Sequence, residues 1–91
     1  TVPTPPQRIS ILERIGGILE EEFVDHKKAA EAFEDIVAIE PGHDAANTAL
    51  ARLYRQLARF DDLAKTLERH ALASADEKRK IGLLLQSVRV L

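Results

Sequence analysis

The stretch KKAAEAFEDIVAIEPGHDAANTALARLYRQL, Lys27 to Leu57, sets small and large residues at regular intervals. Ala29, Ala30, Phe33, Ile36 and Val37 recur three and four apart, which places them on one face of a helix over Lys27 to Ile39. Pro41 disfavours the α region at Glu40, and Gly42 tolerates unusual dihedrals, so the helix stops there. Asp25 and Asp44 are the expected N-caps of this helix and the next. Ala46, Leu50, Leu53, Tyr54 and Leu57 then share one face to about Ala58.

Working outward, the same period holds. Ile9, Leu12, Ile15, Leu19 and Phe23 predict a first helix from about Arg8 to Glu22. Arg59 to Asp61 make a tight junction. Leu63, Ala64, Leu67, His70 and Ala71 line a fourth helix ending near Ala73. Ser74 or Asp76 caps a fifth, carried by Ile81, Leu84, Leu85, Val88 and Leu91. No alternating β-branched run or hairpin signal interrupts the series, so the fold class is all-α. Thr1 to Gln7 carry three prolines and read as an extended linker.

Composition removes several classes of function. The 91 residues suffice for one modest domain. Absence of Cys excludes disulfides, a thiolate nucleophile and Cys-based metal sites. Thirteen basic against fifteen acidic residues give a net charge of −2, the wrong sign for a nucleic-acid binder. With no Trp, one Tyr and three Phe, stacking platforms for bases are missing too. Apolar residues at 45% and charged residues at 31% mark a globular chain. No apolar run approaches the ~20 residues of a membrane helix. The opening residues lack the pattern of a secretory signal. The start at Thr and an end inside an apolar pattern suggest an excerpt of a longer protein. The acidic pI of about 5.9 fits a cytoplasmic one.

Paired helices reveal a repeat. Ile15-Gly16 and Leu19 recur as Leu50-Ala51 and Tyr54, 35 positions later. This resembles the tetratricopeptide repeat, whose pattern is L-G-x2-Y, then A-x3-F, then P, in ~34 residues. The first repeat carries the second half of the pattern as Ala29, Phe33 and Pro41. The second carries the first half as Leu50, Ala51 and Tyr54, with Leu63 and Leu67 where Ala and Phe are usual and Ala75 in place of Pro. One extra residue in the first repeat falls in the EEEFVD turn. The resemblance spans roughly Arg8 to Ala75. It gives repeat one as 8–42, repeat two as 43–75 and a partial third repeat or capping helix as 76–91.

Helix packing explains the pattern. Two antiparallel helices that cross closely need small residues at the contact: Gly16 and Ala51 on the first helix of each pair, Ala29 or Ala30 and Ala64 on the second. Leu19, Tyr54, Phe33 and Leu67 fill the space beside them. A plain helical bundle does not require this order to recur at 35. HEAT-like pairs have a longer usual period, ~40–47. The resemblance therefore implies an α-α superhelix, a solenoid of about five antiparallel helices whose repeats are stabilised by their neighbours.

No arrangement of side chains supports catalysis, and the chain reads as a non-enzyme. His26, His43 and His70 are scattered, without H-x3-H or H-E-x-x-H spacing, so no metal or cofactor is expected. His70 reads as a partly buried, hydrogen-bonded histidine. Glu20 to Glu22 and Glu34-Asp35 occupy adjacent helical positions and diverge. Ser10, Ser74 and Ser87 lack a His/Asp arrangement, and Gly16-Gly17 is no phosphate loop.

What the family resemblance implies is a concave surface, lined by the first helix of each repeat, that binds a protein or peptide. Carried over by position, it holds Glu13, Arg14, Gly17 and Glu21 from repeat one, and Thr48, Ala49, Arg52, Arg55 and Gln56 from repeat two. If Leu84 matches Leu12, Gln86 and Arg89 join them. Members that clamp a partner's C-terminal carboxylate use Asn and Lys where this chain has Ala49 and Gly17, which argues against that mode. Arg52 and Arg55 can instead pair with acidic or polar groups. The rival expectation is a structural or self-associating segment. Leu83, Leu84, Leu85, Val88, Val90 and Leu91 put apolar groups on more than one side of the last helix, so a homodimer through it is one form this could take.

Overall fold

Prolines at the N-terminus start a helix rather than a linker. A computed structural model describes residues 2–90, and within them helix α1 runs Pro5–Glu21. Pro5 and Pro6 occupy the first turn, where a missing amide donor costs nothing. The Thr4 hydroxyl accepts from the Gln7 amide at 3.4 Å, while the Gln7 side chain accepts from the Thr4 amide at 2.9 Å. This reciprocal box corrects the expected extended segment up to Gln7. Thr1, the first residue of that segment, lies outside the described residues, as does Leu91.

Four further helices follow: α2 (His26–Ile39), α3 (Asp44–Gln56), α4 (Phe60–Ala73) and α5 (Glu77–Val90). Each packs chiefly on its neighbours in sequence, α1 on α2 through to α4 on α5, which is the contact pattern of a solenoid. All described residues in regular structure are helical. The expected α-α superhelix of tetratricopeptide type agrees with this architecture.

Turns inside the two helix pairs differ by the expected extra residue. Between α3 and α4, Ala58 adopts φ 57°, the Arg59 amide donates to the Tyr54 carbonyl at 2.9 Å, and the Ala58 amide donates to that of Arg55 at 3.2 Å. That is a Schellman stop with Ala in the place glycine usually takes. Between α1 and α2 the turn is longer. Val24 takes the left-handed conformation at φ 51°, and the Asp25 amide reaches back to the Leu19 carbonyl at 2.8 Å. The chain has left the helix by Phe23, so this ring is 70% exposed and does not extend the packed face of α1.

Asp25 caps α2 by accepting from the Lys28 amide at 3.1 Å. At α3 the expected cap moves by one: the His43 ring, not Asp44, takes the position, with Nδ1 accepting from the Ala46 amide at 3.1 Å. Asp44 sits in the first turn, where its charge still complements the helix dipole. For α5, Asp76 Oδ1 accepts from the Lys78 and Arg79 amides. Glu40, before Pro41, is extended as the proline demands. Gly42 has no positive φ, contrary to the dihedral argument. A Cβ there would stand 3.0 Å from that of Ala73, so close approach of α4 is the reason for glycine.

The core lies where α2, α3 and α4 meet. Ala29, Ala30 and Ile36 are fully buried against Leu50, Leu53, Leu63 and Leu67. Truncating one of the buried leucines to Ala costs about 2–5 kcal/mol. Gly16 is the buried contact point of α1, with Ile9, Leu12 and Leu19 partly buried around it.

A groove across the first helices of the repeats

Two polar contacts join α1 to α3. His43 Nδ1 accepts the cap bond, so in the neutral ring Nε2 carries the proton and donates it to Glu13 Oε1 at 3.0 Å. Nine residues along α3, the Arg52 guanidinium forks onto Glu20, Nε to Oε2 at 2.8 Å and Nη2 to Oε1 at 2.6 Å. Glu20 therefore raises the Arg52 pKa, with Glu21 adding to the effect. This changes the expected role of Arg52: its fork already holds an internal carboxylate.

Two more contacts join α3 to α5. Arg55 Nη2 donates to Gln86 Oε1 at 2.8 Å. Asp44 Oδ1 accepts from Arg79 and, at 2.7 Å, from His70 Nε2. His70 is buried, in line with its expected bland role, and its one Nε2 proton goes to Asp44. Arg79 at 3.2 Å from the same nitrogen has no acceptor there while that proton is present. The Asp44 carboxyl is held below its usual value, first by the His70 bond and then by Arg79, against partial burial acting the other way.

These contacts frame a cavity of about 420 Å³ between α3, α4 and α5. Thr48, Arg52, Arg55, Arg79 and Gln86 supply its polar wall, while Ala51, Leu67 and Leu83 supply an apolar floor. Thr48, Arg52 and Arg55 thus line one cavity, with Gln86 beside them. Ala49 does not: it is buried, because the packed face of α3 is wide enough to include Asn47, Ala49, Leu50 and Leu53. In α5 it is Leu83, rather than Leu84, that packs on the core. Glu13 and Glu21 belong to the α1 side of the assembly. Arg14, Gln56 and Arg89 are exposed, and none lines this cavity. A larger hollow, about 540 Å³, lies between the Pro41-Gly42 turn and α4, with Lys65, Glu68, Arg69 and Leu72 around it. It lacks the convergence of three arginines found in the groove.

Two polar clusters were not legible from spacing. Asn47 is wholly buried. Its amide donates to the carbonyls of Pro41 and His43, both at 2.9 Å, and its oxygen accepts from Arg69 Nε at 3.0 Å and Nη2 at 2.9 Å. One side chain thereby ties the turn between repeats to both helices of the second. Tyr54 donates its hydroxyl to Glu34, and Arg59 stacks 4.8 Å over its ring while donating to Asp62 at 2.9 Å. Burial, then the bond to Glu34, push the Tyr54 hydroxyl well above the usual phenol range.

Among known proteins, the family model described as tetratricopeptide repeat matches residues 22–86, from the end of α1 to late in α5. No curated protein and no solved structure gives a match. Repeats of this kind mediate protein–protein interaction. Five helices packed in sequence, a small/large order recurring at 35 and the matched family model together make this chain a member of the tetratricopeptide repeat family.

Proposed function

We propose that the domain is a non-catalytic interaction module whose concave surface, built from α1, α3 and α5, binds a polypeptide carrying acidic side chains. The charge balance of the groove supports this reading. Of its three arginines, Arg52 is satisfied by Glu20 and Arg79 by Asp44, whereas Arg55 is held by the neutral Gln86. Its guanidinium keeps an uncompensated charge and free donors at the mouth of a preformed cavity. A carboxylate placed there can take a two-pronged bond. The helices hold the groove open before binding, which lowers the ordering cost that a flexible site incurs.

Glu13, Arg14, Glu21, Thr48, Gln56 and Arg89 extend the proposed contact surface beyond Arg52 and Arg55. A peptide-display selection on the immobilised domain tests the reading. Enriched peptides should carry Asp or Glu, and Arg55→Glu should weaken them tenfold or more, with affinity falling as salt rises. Enrichment of peptides indifferent to Arg55→Glu would remove the groove from the function. A second reading, self-association, is favoured by apolar residues exposed on the outer helices.

A further inference from the structure

The hollow between the Pro41-Gly42 turn and α4 has its walls in the middle of the domain. The turn lies between α2 and α3, and α4 packs on both α3 and α5, so the opening is not the face of an outermost helix. Leu72, on its rim, is nevertheless 73% exposed. Lys65, Arg69, Leu72 and Ala73 form one row along α4, with the cations first and the apolar pair last. Pro41 and Gly42 close the apolar end, where a Cβ on Gly42 would stand 3.0 Å from that of Ala73.

The charges of this hollow are not balanced from within. Arg69 is fixed by the wholly buried Asn47, whose oxygen accepts from both Nε and Nη2. That oxygen is neutral, and Nη1 of the guanidinium makes no hydrogen bond among the described residues. Lys65 is exposed one helical turn before Arg69, a spacing at which like charges repel. Neither cation forms an ion pair among the described residues. Glu68 also lines the hollow, and its Oε1 accepts from the Ser87 hydroxyl of α5 at 3.2 Å. Asp61 and Glu40 are exposed nearby in sequence and do not line it. The lining therefore sets two cations against one carboxylate, with one guanidinium held in a fixed orientation.

We infer that this hollow docks a partner polypeptide through a pair of neighbouring side chains, a carboxylate beside a large apolar residue. The carboxylate bonds the Nη1 edge of Arg69, and Lys65 adds its charge. The apolar neighbour rests on Leu72, Ala73 and Pro41. Because Asn47 already fixes the guanidinium, binding has little left to order there. Glu68 limits the charge that fits: it opposes the near-double charge of a phosphate more than the single charge of a carboxylate. The hollow shares no lining residue with the groove, so this inference stands apart from the proposed groove binding.

A random-peptide display selection on the Arg55→Glu domain tests it, because that substitution reverses the charge of the groove and leaves the hollow whole. Enriched peptides should carry Asp or Glu beside Leu, Ile, Val or Phe. Lys65→Glu and Leu72→Ser change exposed positions outside the Asn47 network, and circular dichroism checks that both variants are folded. Each should weaken the enriched peptides tenfold or more, as should replacing the peptide's acid by its amide. Inorganic phosphate at millimolar concentration should not compete. A selection that enriches nothing overturns the inference, as does enrichment of peptides that neither substitution weakens. Competition by phosphate would make the hollow a small-anion site and overturn it equally.

Discussion

Gly16 faces the ring of Phe33 so closely that a Cβ added to it would stand 2.7 Å from Cε2. The ring is buried and has nowhere to retreat. The corresponding pair in the second repeat is Ala51 with Leu67, so the smaller residue meets the larger one in each case and their combined volume is kept. Gly16→Ala should therefore destabilise the domain by about 1 kcal/mol net. The clash costs about 1–3 kcal/mol, offset in part by the ~1 kcal/mol gain in helix propensity. Adding Phe33→Leu, which copies the second repeat, should recover most of the loss. Urea denaturation of the two single variants and the double completes the cycle, and strict additivity would show that the contact does not set the choice of glycine.

Asn47 has every polar atom bonded in a fully buried setting. Asn47→Leu keeps the size and strands the Pro41 carbonyl and the Arg69 guanidinium. A loss of about 1–2 kcal/mol is expected, because the Pro41 carbonyl is exposed and Arg69 only partly buried, so water replaces part of the lost hydrogen bonding. Arg69→Met on the same background should return part of it by removing one stranded group. Equal stability of wild type and Asn47→Leu in chemical denaturation would mean that the network contributes only orientation.

Acid should loosen the junction of α3, α4 and α5. Asp44 has its pKa lowered from 3.8 by His70 and Arg79. A carboxyl with a depressed folded-state pKa contributes stability above its unfolded value, and that contribution is lost as pH falls through the folded one. The window thus opens near pH 4 and extends below it. Because Asp44 is well exposed, the contribution is modest. Thermal melts of wild type and Asp44→Asn should differ at pH 6 and converge toward pH 2.5. A gap that stays constant across this range would rule out the carboxylate as its source.

Which parts of this structure spacing could reveal follows from the range of the interactions. The helices and their pairing depend on residues three, four and 35 apart, and those intervals are visible in one sequence. Gly16 with Phe33 belongs to this class, because a repeated small/large order names both partners. Caps were legible only where a short acceptor stood alone, as at Asp25. At α3, two candidates stood side by side, and His43 took the cap because its ring nitrogen reaches Ala46 while Asp44 reaches α4 and α5. Thr4 with Gln7 was a readable capping box hidden by the prolines between them. The groove contacts were less accessible. Arg52 with Glu20 and Arg55 with Gln86 are 32 and 31 residues apart, and nothing in the spacing tells a paired arginine from a free one.

Val24 and Ala58 hold the left-handed conformation that glycine takes without strain, at φ 51° and 57°. The conformation costs an ordinary residue roughly 1–2 kcal/mol. Against this, glycine gives the unfolded chain more freedom, worth about 0.4–1 kcal/mol. Val24 is branched at Cβ and 63% exposed, so it bears the higher strain and loses little packing on removal. Val24→Gly should stabilise the domain by about 1 kcal/mol, and Ala58→Gly by less. Denaturation midpoints with unchanged slope decide the matter. A midpoint lowered by Val24→Gly would show that the valine makes a favourable contact outweighing its backbone strain, and the exposed tip formed with Phe23 is where such a contact would be sought.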